Sequence, residues 1–372
     1  MKIAFISFDF GEYTVRHASV LAEKAVVALF APKPMIAPHL SELNPNVQLY
    51  AHARPRLRQL HKQVATILTL VRQVKAFEPD VIHFQHGHLW FNMALPLLRR
   101  YPLVVTVHDP QPHVGDRDSN ATPAWLMHSG YSQADQLIVH ARQVKSIVVE
   151  KLKFPQEIVH VVPHIALGNH ADHSEVQEEP NTLLFFGRIW EYKGLEYLIR
   201  AEPLISEQIP DVKIVIAGMG EDMDRYRRMM VHPEKFELHN EYIADADIAK
   251  YFRRSSIVVL PYIEATQSGI VPIAYNFSRP VVATRVGGLP DLVEDGQTGL
   301  LIPPRDEKAL ADAIVRLLQD RNACAQMGKN GKQKLDAECS PDAVGKQTFA
   351  VYQKAIRSFH AQVGKQAVQY SQ

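Results

Sequence analysis

The stretch that most constrains the fold of this 372-residue chain is Ser255–Pro304. It opens with a short β-branched apolar run, Ile257–Leu260, whose length suits a strand and is too short for a helix. A polar loop over Pro261–Gly269 follows, then a short helix that ends before Pro280, and then a second apolar run. This order predicts a βαβ unit whose polar loop lies at the carboxyl end of a strand. Open α/β sheets bind ligands at that location, and helix N–H groups there suit phosphate.

Apolar runs of strand length recur along the whole chain, with helical patterns between most of them. Such alternation implies parallel sheets with right-handed crossovers. The predicted strands lie near Lys2–Ser7, Val26–Phe30, Val47–Tyr50, Asp80–Phe84, Leu103–Val107, Gln136–Val139, Val159–Val162, Thr182–Phe186, Val212–Ala217, Phe236–Leu238, Ile257–Leu260 and Val281–Ala283.

The segment over 166–181 is poor in apolar residues and rich in acids, so we interpret it as a linker. We therefore predict an α/β protein with a first domain over 1–165 and a second domain over 182–339. After Pro304 the chain is predicted to be helical, and its last part, 340–372, is expected to pack back toward the first domain. The final residues, from 364 onward, are expected to be frayed.

Composition places the chain among soluble globular enzymes, with 46% hydrophobic and 22% charged residues. A net charge of +1 argues against general binding of nucleic acid. The two cysteines form neither a disulfide framework nor a metal spacing, which fits a reducing cytoplasm. The amino terminus is typical of a strand and not of a secretion signal, and no apolar run reaches transmembrane length. We expect a cytoplasmic protein.

The strand over Thr182–Phe186 ends in Gly187 and Arg188, and Lys193 follows five residues after the arginine. A glycine lets the backbone approach a ligand, an arginine fork matches phosphate oxygens, and a lysine adds a point charge. The pair indicates a diphosphate site, with a solvated basic turn as the alternative.

Further along, Gly218 and Gly220 follow a strand, but methionine occupies position 223, where a dinucleotide fingerprint needs glycine. That run indicates a strand-to-helix turn near a ligand and not an NAD site.

Histidines gather at the ends of two strands of the first domain. His83, His86 and His88 have no accompanying carboxylate or cysteine, so we do not predict a metal there. His108, next to Asp109 at the end of a strand, is placed to bond a sugar hydroxyl or to handle a proton. A strand cap with a satisfied imidazole is the alternative.

A basic segment without any acid lies between Glu42 and Glu78. A helix within it is expected to carry one apolar face and one basic face. A solvated helix face is the simpler interpretation, and attraction to an anionic membrane surface or acceptor is the sharper one. The apolar residues are Leu57, Leu60, Val64, Ile67, Leu68 and Val71, and the cations expected to meet a membrane or acceptor are Arg54, Arg56, Arg58 and Lys62.

Five blocks of the chain together resemble the family 4 glycosyltransferases, retaining enzymes with two Rossmann-like domains that face each other across a cleft, the GT-B fold. Their order and spacing cover nearly the whole chain. The blocks are VVTVHD ending at Asp109, VVPHI at Val161–Ile165, FFGRIWEYKG at Phe185–Gly194, IVIAGMGE at Ile214–Glu221, and RPVVATRVGGLPDLVEDGQTGLLIPP at Arg279–Pro304.

The resemblance implies a nucleotide sugar held mainly by the second domain and an acceptor held mainly by the first. It implies that Arg188 and Lys193 bind the donor diphosphate, that His108 lies near the donor sugar, and that Gly11 lies in a loop facing the phosphates. Glu264 is implied to act near the transferred sugar. The loop glycines and hydroxyls complete the implied set, with Ser268 and Gly269 at the diphosphate and Gly187, Gly218, Gly220, Thr266 and Gln267 at the nucleoside or sugar.

One departure from the family pattern concerns the second of its two glutamates, which the family uses on the ribose. Counting back from Arg279 places that position on Ile273, and counting forward from Glu264 places it on Pro272. The second carboxylate is absent either way. The loop EATQSG over Glu264–Gly269, similar to that of a subset of the family, offers hydroxyls, an amide and backbone N–H groups instead.

These observations predict a retaining glycosyltransferase that makes a cell-surface polysaccharide, a glycolipid or a small glycoside, with a glycan, lipid-linked or small-molecule acceptor. No cofactor is expected beyond the nucleotide sugar as co-substrate, and no metal, because two side-chain cations neutralise the leaving group. A catalytically silent sugar-nucleotide-binding protein is the alternative, suggested by the missing glutamate. A GT-B epimerase has no support beyond the shared fold.

Overall fold

A computed structural model of the chain describes residues 1–56, 58–85, 87–108, 110, 123–166, 176–266 and 268–369. These residues form two compact units. The first contains the described residues before Ala166 together with those from Ser340 onward, and the second contains Ala166 and the described residues up to Cys339. Residues 167–175 of the predicted linker lie outside the described part.

Each unit contains one parallel sheet. The strands of the first are β1 (Lys2–Ser7), β2 (Val26–Pro32), β3 (Gln48–His52), β4 (Val81–Gln85), β5 (Leu103–Thr106), β6 (Gln136–Val139) and β7 (Val159–Val161). The strands of the second are β8 (Thr182–Phe186), β9 (Lys213–Ala217), β10 (Phe236–His239), β11 (Ile257–Leu260), β12 (Val281–Thr284) and β13 (Gly299–Ile302).

Helices alternate with the strands in both units, and a few short 3₁₀ turns join them. The helices are α1 (Gly11–Leu21), α2 (Lys33–Ile36), α3 (Leu60–Phe77), α4 (Leu89–Ala94), α5 (Ala124–Tyr131), α6 (Arg142–Ser146), α7 (Leu195–Ser206), α8 (Met223–Arg227), α9 (Asp245–Arg254), α10 (Ile270–Asn276), α11 (Leu289–Leu292), α12 (Glu307–Gln319), α13 (Arg321–Glu338) and α14 (Pro341–Gln369).

The two sheets share one strand order. In the described residues the first reads β3-β2-β1-β4-β5-β6-β7 and the second β10-β9-β8-β11-β12-β13, with every pairing parallel. The order reverses direction between β1 and β4 in one sheet and between β8 and β11 in the other. A reversal of this kind opens a crevice at the carboxyl ends of the two strands, where doubly wound folds bind ligands. The predicted α/β class with two Rossmann-like domains is confirmed.

Apolar strands make both sheets. Strand β1, of sequence KIAFIS, is buried from Ile3 onward, and β11 and β12 are buried along their whole length. Helices that cover both faces of a parallel sheet require such runs instead of an alternating pattern. Strand β13 was not predicted, because its apolar residues Gly299–Ile302 stand between a turn and two prolines. It pairs with β12 from Val281↔Gly299 onward.

The last helix belongs to the first unit. Helix α14 packs on α1 and on β4, β5 and β6, with Val344, Tyr352 and Ala355 fully buried. A Cβ atom at Gly345 would lie 2.6 Å from Val20 Cγ1, so the two helices approach closely at that glycine. The helix continues to Gln369, which corrects the expectation of fraying from residue 364. Residues 370–372 lie outside the described part.

Helix α3 differs from the expected face assignment. Ile67 and Val71 are buried as predicted, but Leu60, Val64 and Leu68 are 58%, 45% and 41% exposed. The buried stripe runs instead through Gln63, Ile67, Leu70, Val71, Val74 and Phe77. A helical period identifies neighbouring faces but does not say which of two adjacent apolar stripes meets the sheet. Leu57 lies outside the described residues.

Candidate active site

The candidate site of the second unit lies where β8 and β11 run side by side, with Leu183 paired to Ile257. Two loops leave the carboxyl ends of these strands, Gly187–Gly194 after β8 and Pro261–Gly269 after β11. Backbone contacts join them, since Ile263 N donates to Tyr192 O at 2.8 Å. Gly194 has φ +64°, and a Cβ there would lie 2.0 Å from Pro261 O, so only glycine fits this contact. These contacts hold the two loops together as one rim of the site.

Lys193 lies over one aromatic ring in that rim, and the charge of Arg188 acts on the same ring. Lys193 Nζ lies 3.7 Å from the ring centroid of Tyr262 and 5.1 Å from that of Tyr192. Tyr262 is 1% exposed, and its burial raises the pKa of the phenol, while a hydrogen bond with Ser268 and the positive charge of Arg188 act in the opposite direction. Arg188 itself is exposed. Lys193, the Ser268 hydroxyl and the charge of Arg188 thus all act on Tyr262 at a partly open surface, which suits an anionic group.

The predicted glycines after β8 and β9 hold these loops against each other. Gly218 has φ +147°, and a Cβ there would lie 1.8 Å from Gly187 O. A Cβ at Gly220 would lie 2.1 Å from Ile189 O. The backbone that these glycines approach is therefore that of the neighbouring loop. They set the position of Arg188 by fixing the loop that carries it.

The loop after β11 contains most of the remaining predicted residues. Glu264 is half-buried at its start, and Thr266 and Ser268 are 8% and 5% exposed. Thr266 O accepts from Gly288 N at 3.1 Å, and Ser268 Oγ accepts from Ile270 N at 3.2 Å, at the start of α10. Gly269 directly precedes that helix, and Gln267 lies outside the described residues.

Helix α10 carries no carboxylate at either position to which the second glutamate of the family pattern maps. Pro272 and Ile273 occupy those positions, and both are buried in the apolar packing of the helix. A ribose bound at this helix would have to be held by other groups. Before the helix, the nearest polar side chains in the described part of the chain are those of Ser268 and Thr266.

In the first unit, the candidate residues lie at the carboxyl ends of β1, β4 and β5. Gly11 is the first residue of α1, and a Cβ there would lie 2.3 Å from Met35 O. Phe10 precedes it with φ +62° and stacks on His108, with ring centroids 4.3 Å apart. His108 is 1% exposed, and its Nε2 lies 2.8 Å from Gln85 Oε1. Asp109 lies outside the described residues.

The histidines at the end of β4 have structural contacts. His83 Nδ1 lies 2.6 Å from the Tyr352 hydroxyl, and the ring of His88 stacks on Phe8 at 4.0 Å. Burial lowers the pKa of His88 to about 4. His86 lies outside the described residues. Over the part of the chain that the structure describes, no three His, Cys, Asp or Glu side chains are grouped as metal ligands.

The predicted basic residues do not begin a helix. Arg54, Arg56 and Arg58 precede α3, which starts at Leu60, and all three are exposed. Arg54 pairs with Asp9, with Nη2 2.7 Å from Oδ1, which links it to the loop after β1. Lys62 is exposed on the first turn of α3. In the described residues no helix combines the length and the apolar character that crossing a bilayer requires.

Two residues of these sites escaped sequence reasoning. Tyr262 stands two residues after β11, and its only sequence signal is an aromatic side chain behind a strand that ends in a polar loop. Gln85, the last residue of β4, is a polar side chain at the end of a buried strand. The same signal singled out His108, and it would have identified Gln85 had it been applied to every strand end.

Two family profiles match the chain in tandem. The profile described as Glycosyltransferase Family 4 matches residues 11–165, and the one described as Glycosyl transferases group 1 matches residues 180–320.

Curated relatives extend over both units. The chain is 27% identical over 302 residues to an uncharacterized glycosyltransferase, MJ1607, of Methanocaldococcus jannaschii, covering 74% of this chain and 76% of that protein. It is 25% identical over 316 residues to the alpha-D-kanosaminyltransferase of Streptomyces kanamyceticus, covering 78% and 82%. It is 27% identical over 338 residues to the D-inositol 3-phosphate glycosyltransferase of Kribbella flavida, covering 82% and 79%.

Solved structures share the fold over nearly the whole chain. Sucrose-phosphate synthase from Thermosynechococcus elongatus matches with a TM-score of 0.76 at 20% identity, covering 96% of this chain and 100% of that one. HepE of Anabaena, in complex with UDP, matches with a TM-score of 0.68 at 18% identity, covering 94% and 99%.

Proposed function

We propose that this chain, which belongs to the family 4 glycosyltransferases and has the GT-B fold, transfers a sugar with retention of its anomeric configuration. Family membership establishes the reaction class, glycosyl transfer, and the donor class, a nucleotide sugar. The stereochemical outcome and the acceptor are the proposed part. We propose a glycan, lipid-linked or small-molecule acceptor, and a product that is a polysaccharide, a glycolipid or a small glycoside.

The position of Lys193 over Tyr262, with the exposed Arg188 in the same loop, supports this proposal. A nucleoside diphosphate that leaves a sugar gains negative charge in the transition state, and fixed cations stabilise that charge most effectively where water is partly excluded. The cation–π contact with the buried Tyr262 holds Lys193 in place before the donor arrives. We assign the Ser268 hydroxyl and the backbone N–H of Gly269 to the same diphosphate.

The chemical step breaks one bond and forms one. The bond between the anomeric carbon and the diphosphate oxygen breaks, and the electron pair leaves with the diphosphate. The acceptor oxygen attacks the anomeric carbon, and its proton passes to the departing diphosphate, so charge and atoms balance. Glu264 is assigned to a hydroxyl of the transferred sugar, which it holds by a hydrogen bond while positive charge develops on the ring.

Neighbouring residues are assigned to the rest of the donor. We assign Thr266 and Gln267 to the ribose or sugar, because no carboxylate occupies the helix position that the family uses. The loops of Gly187, Gly218 and Gly220 are assigned to the nucleoside. In the first unit, His108 is assigned to a sugar hydroxyl and Gly11 to the phosphates.

Turnover with a panel of nucleotide sugars tests the proposal. UDP-glucose comes first, since HepE was solved with UDP-glucose, followed by GDP- and ADP-sugars. Release of nucleoside diphosphate together with a product of unchanged anomeric configuration, read by NMR couplings, supports the proposal. Inversion at the anomeric carbon contradicts the retaining assignment. Binding of a donor, seen as a thermal shift, without any release across acceptors supports the silent sugar-nucleotide-binding protein instead.

Helix α3 suggests a second partner. Its exposed stripe of Leu60, Val64 and Leu68 runs beside exposed cations, and Arg56 and Arg58 precede it. An apolar stripe bordered by basic residues is the pattern of a helix that lies on an anionic membrane. We propose that this face, called the α3 face below, binds an anionic lipid surface, which would bring the enzyme to a lipid-linked acceptor at the inner side of a membrane.

A further inference from the structure

A set of buried polar side chains connects helix α14 to His108 inside the first unit. None is more than 2% exposed, so each must find its hydrogen-bond partners within the protein. In such a set the direction of every bond can be worked out from one end. The members are Thr348, His17, Tyr13, Gln85, His83, Tyr352, Thr106 and His108.

The direction of the first hydrogen bonds in this set is fixed by helix α14. The Thr348 hydroxyl donates its single proton to Val344 O, at 2.8 Å, as threonine often does within a helix. Its oxygen can then only accept from His17 Nε2, which lies 3.0 Å away. Burial lowers the pKa of His17 to about 3, so the ring is neutral and its Nδ1 carries no proton. His17 Nδ1 therefore accepts from the Tyr13 hydroxyl at 3.1 Å.

The next step orients Gln85. Because the proton of Tyr13 is committed to His17, its oxygen can only accept. Gln85 forms a side-chain hydrogen bond with this hydroxyl, and the donor in that bond must be the amide N–H₂. The amide nitrogen of Gln85 therefore faces Tyr13, and it also lies 3.1 Å from His83 Nε2. The amide oxygen is left facing His108 Nε2 at 2.8 Å, so His108 must donate from Nε2.

A second branch holds Gln85 from the other side. His83 accepts from Gln85 at Nε2, so its own proton is on Nδ1, which donates to the Tyr352 hydroxyl at 2.6 Å. The Thr106 hydroxyl lies 2.7 Å from the same Nε2. Burial keeps the pKa of His83 well below its usual range, which matches a neutral ring. This tautomer of His83 agrees with the orientation that the first branch gives to the Gln85 amide.

We propose that Gln85 is a positioning residue that holds His108 with its proton on Nε2 and its lone pair on Nδ1. Stacking against Phe10 fixes the plane of the same ring. His108 then acts toward a hydroxyl as an acceptor through Nδ1 and not as a donor. This inference rests on the proposed role of His108 at the donor sugar.

Two substitutions at Gln85 separate positioning from packing. Gln85→Met keeps the volume and removes both the acceptor and the donor, so His108 loses its tautomeric preference. Gln85→Glu is the rescue variant, because a buried carboxyl without a cation is raised in pKa and stays protonated. It then keeps an acceptor for His108 Nε2 and offers one O–H donor in place of the two N–H donors of the amide.

Gln136→Met is the matched control. Gln136 is also a buried glutamine of the first sheet, and its Oε1 lies 2.6 Å from His160 Nε2. Among the described residues, no hydrogen bond joins Gln136 to the set of buried side chains that reaches His108. Its replacement therefore removes a similar glutamine–histidine contact without touching the proposed mechanism.

Long-range ¹H–¹⁵N correlation spectra of protein labelled with ¹⁵N-histidine read the tautomer directly and need no turnover. The His108 signals are assigned by their loss in His108→Asn. We expect a protonated Nε2 and an unprotonated Nδ1 in the wild type, in Gln85→Glu and in Gln136→Met, and a mixed or reversed tautomer in Gln85→Met. A wild-type His108 with its proton on Nδ1 overturns the inference, even if Gln85→Met does not fold.

Transfer kinetics with the donor that is active in the panel give the second measurement. We expect kcat to fall about tenfold or more in Gln85→Met, with KM for the donor little changed, and to recover in Gln85→Glu. Equal losses in Gln85→Met and Gln136→Met overturn the positioning role, because packing alone would then explain both. If no donor is turned over, the proposed function fails, while the spectra still decide the tautomer.

Discussion

Lys193 lies over the face of Tyr262, with Nζ 3.7 Å from the ring centroid, and Tyr262 is itself 1% exposed. A buried ring of this kind restrains the lysine in one place without neutralising its charge. The aromatic face carries no formal negative charge, so this contact does not weaken the attraction of Lys193 for phosphate.

Tyr262→Leu should therefore weaken transfer although it leaves both cations in the chain. We expect kcat/KM to fall by an amount that corresponds to a loss of about 1–2 kcal/mol of transition-state stabilisation, the size of a partly desolvated cation–π contact. Tyr262→Phe keeps the ring and should retain most of the activity. Steady-state kinetics of both variants make the comparison. A leucine variant as active as the phenylalanine variant would show that the ring does not hold Lys193.

Arg188→Ala and Lys193→Ala should each lower kcat/KM by an amount that corresponds to a loss of at least about 2 kcal/mol of transition-state stabilisation. The reason is that each removes a charge-assisted contact to a group whose charge grows in the transition state. Arg200→Ala is the control, since Arg200 is an exposed cation of the same unit on α7. Near-normal turnover by both site variants would remove the diphosphate assignment.

Glu264→Gln should preserve the fold and most of the affinity for the nucleotide but lose transfer. Replacing the carboxylate with an amide keeps the shape and removes the negative charge that stabilises the sugar in the transition state. Isothermal titration with the nucleoside diphosphate and a transfer assay measure the two effects separately. Glu207→Gln, at the exposed end of α7, serves as the control. Full activity in Glu264→Gln would contradict the role assigned to it.

The α3 face should bind vesicles that contain anionic lipid and release them as salt is raised, because screening shortens the reach of exposed charges to about 8 Å near physiological ionic strength. Each basic residue near such a surface contributes about 1 kcal/mol. Replacing Arg54, Arg56 and Arg58 together by Gln should abolish co-sedimentation, and Val64→Ser should weaken it at all salt concentrations.

The matched control for that experiment removes the same charge from the second unit by replacing three exposed arginines of α8 and the residue after it, Arg225, Arg227 and Arg228, by Gln. Vesicle binding should persist in this variant. Equal loss in both triple variants, or no binding by the wild type at low salt, would leave the α3 face as ordinary solvated surface.

The buried histidines should make the first unit sensitive to acid. His17 is fully buried, and its pKa lies at about 3, below the value of about 6.5 expected in the unfolded chain. Between these values the unfolded state binds the proton and the folded state does not, so stability falls as pH falls from about 6.5. For each such histidine, the free energy of unfolding decreases by up to about 1.4 kcal/mol for every pH unit of acidification in this range.

Calorimetry from pH 7 to pH 4.5 tests this expectation. The melting temperature should fall with pH, and His17→Gln should flatten the dependence relative to His61→Gln, whose histidine is exposed on α3. Parallel pH profiles for the two variants would show that His17 does not carry the effect.

Sequence reasoning located the strands well because a buried parallel strand is a short continuous apolar run, as in Ile257–Leu260. It failed for β13 and for the exposed stripe of α3 for one shared reason. Local pattern reports which residues are apolar, but pairing with a distant strand or covering of one face is decided by tertiary contacts. Tyr262 was missed because its role comes from Lys193, far away along the chain. Gln85 carried the strand-end signal that singled out His108, but the signal was not applied to its strand.

The bond between His17 and Thr348 joins residues that are 331 positions apart. During synthesis on the ribosome, the second unit emerges complete before the helix that closes the first. The earlier half must therefore wait, with His17 and His83 lacking their partners on α14, while the later half folds. A protein shortened before Ser340 would keep all of the second unit but would lack the helix that completes the first unit. The first unit, although it is synthesised first, would then stay incompletely folded and exposed to chaperones and proteases.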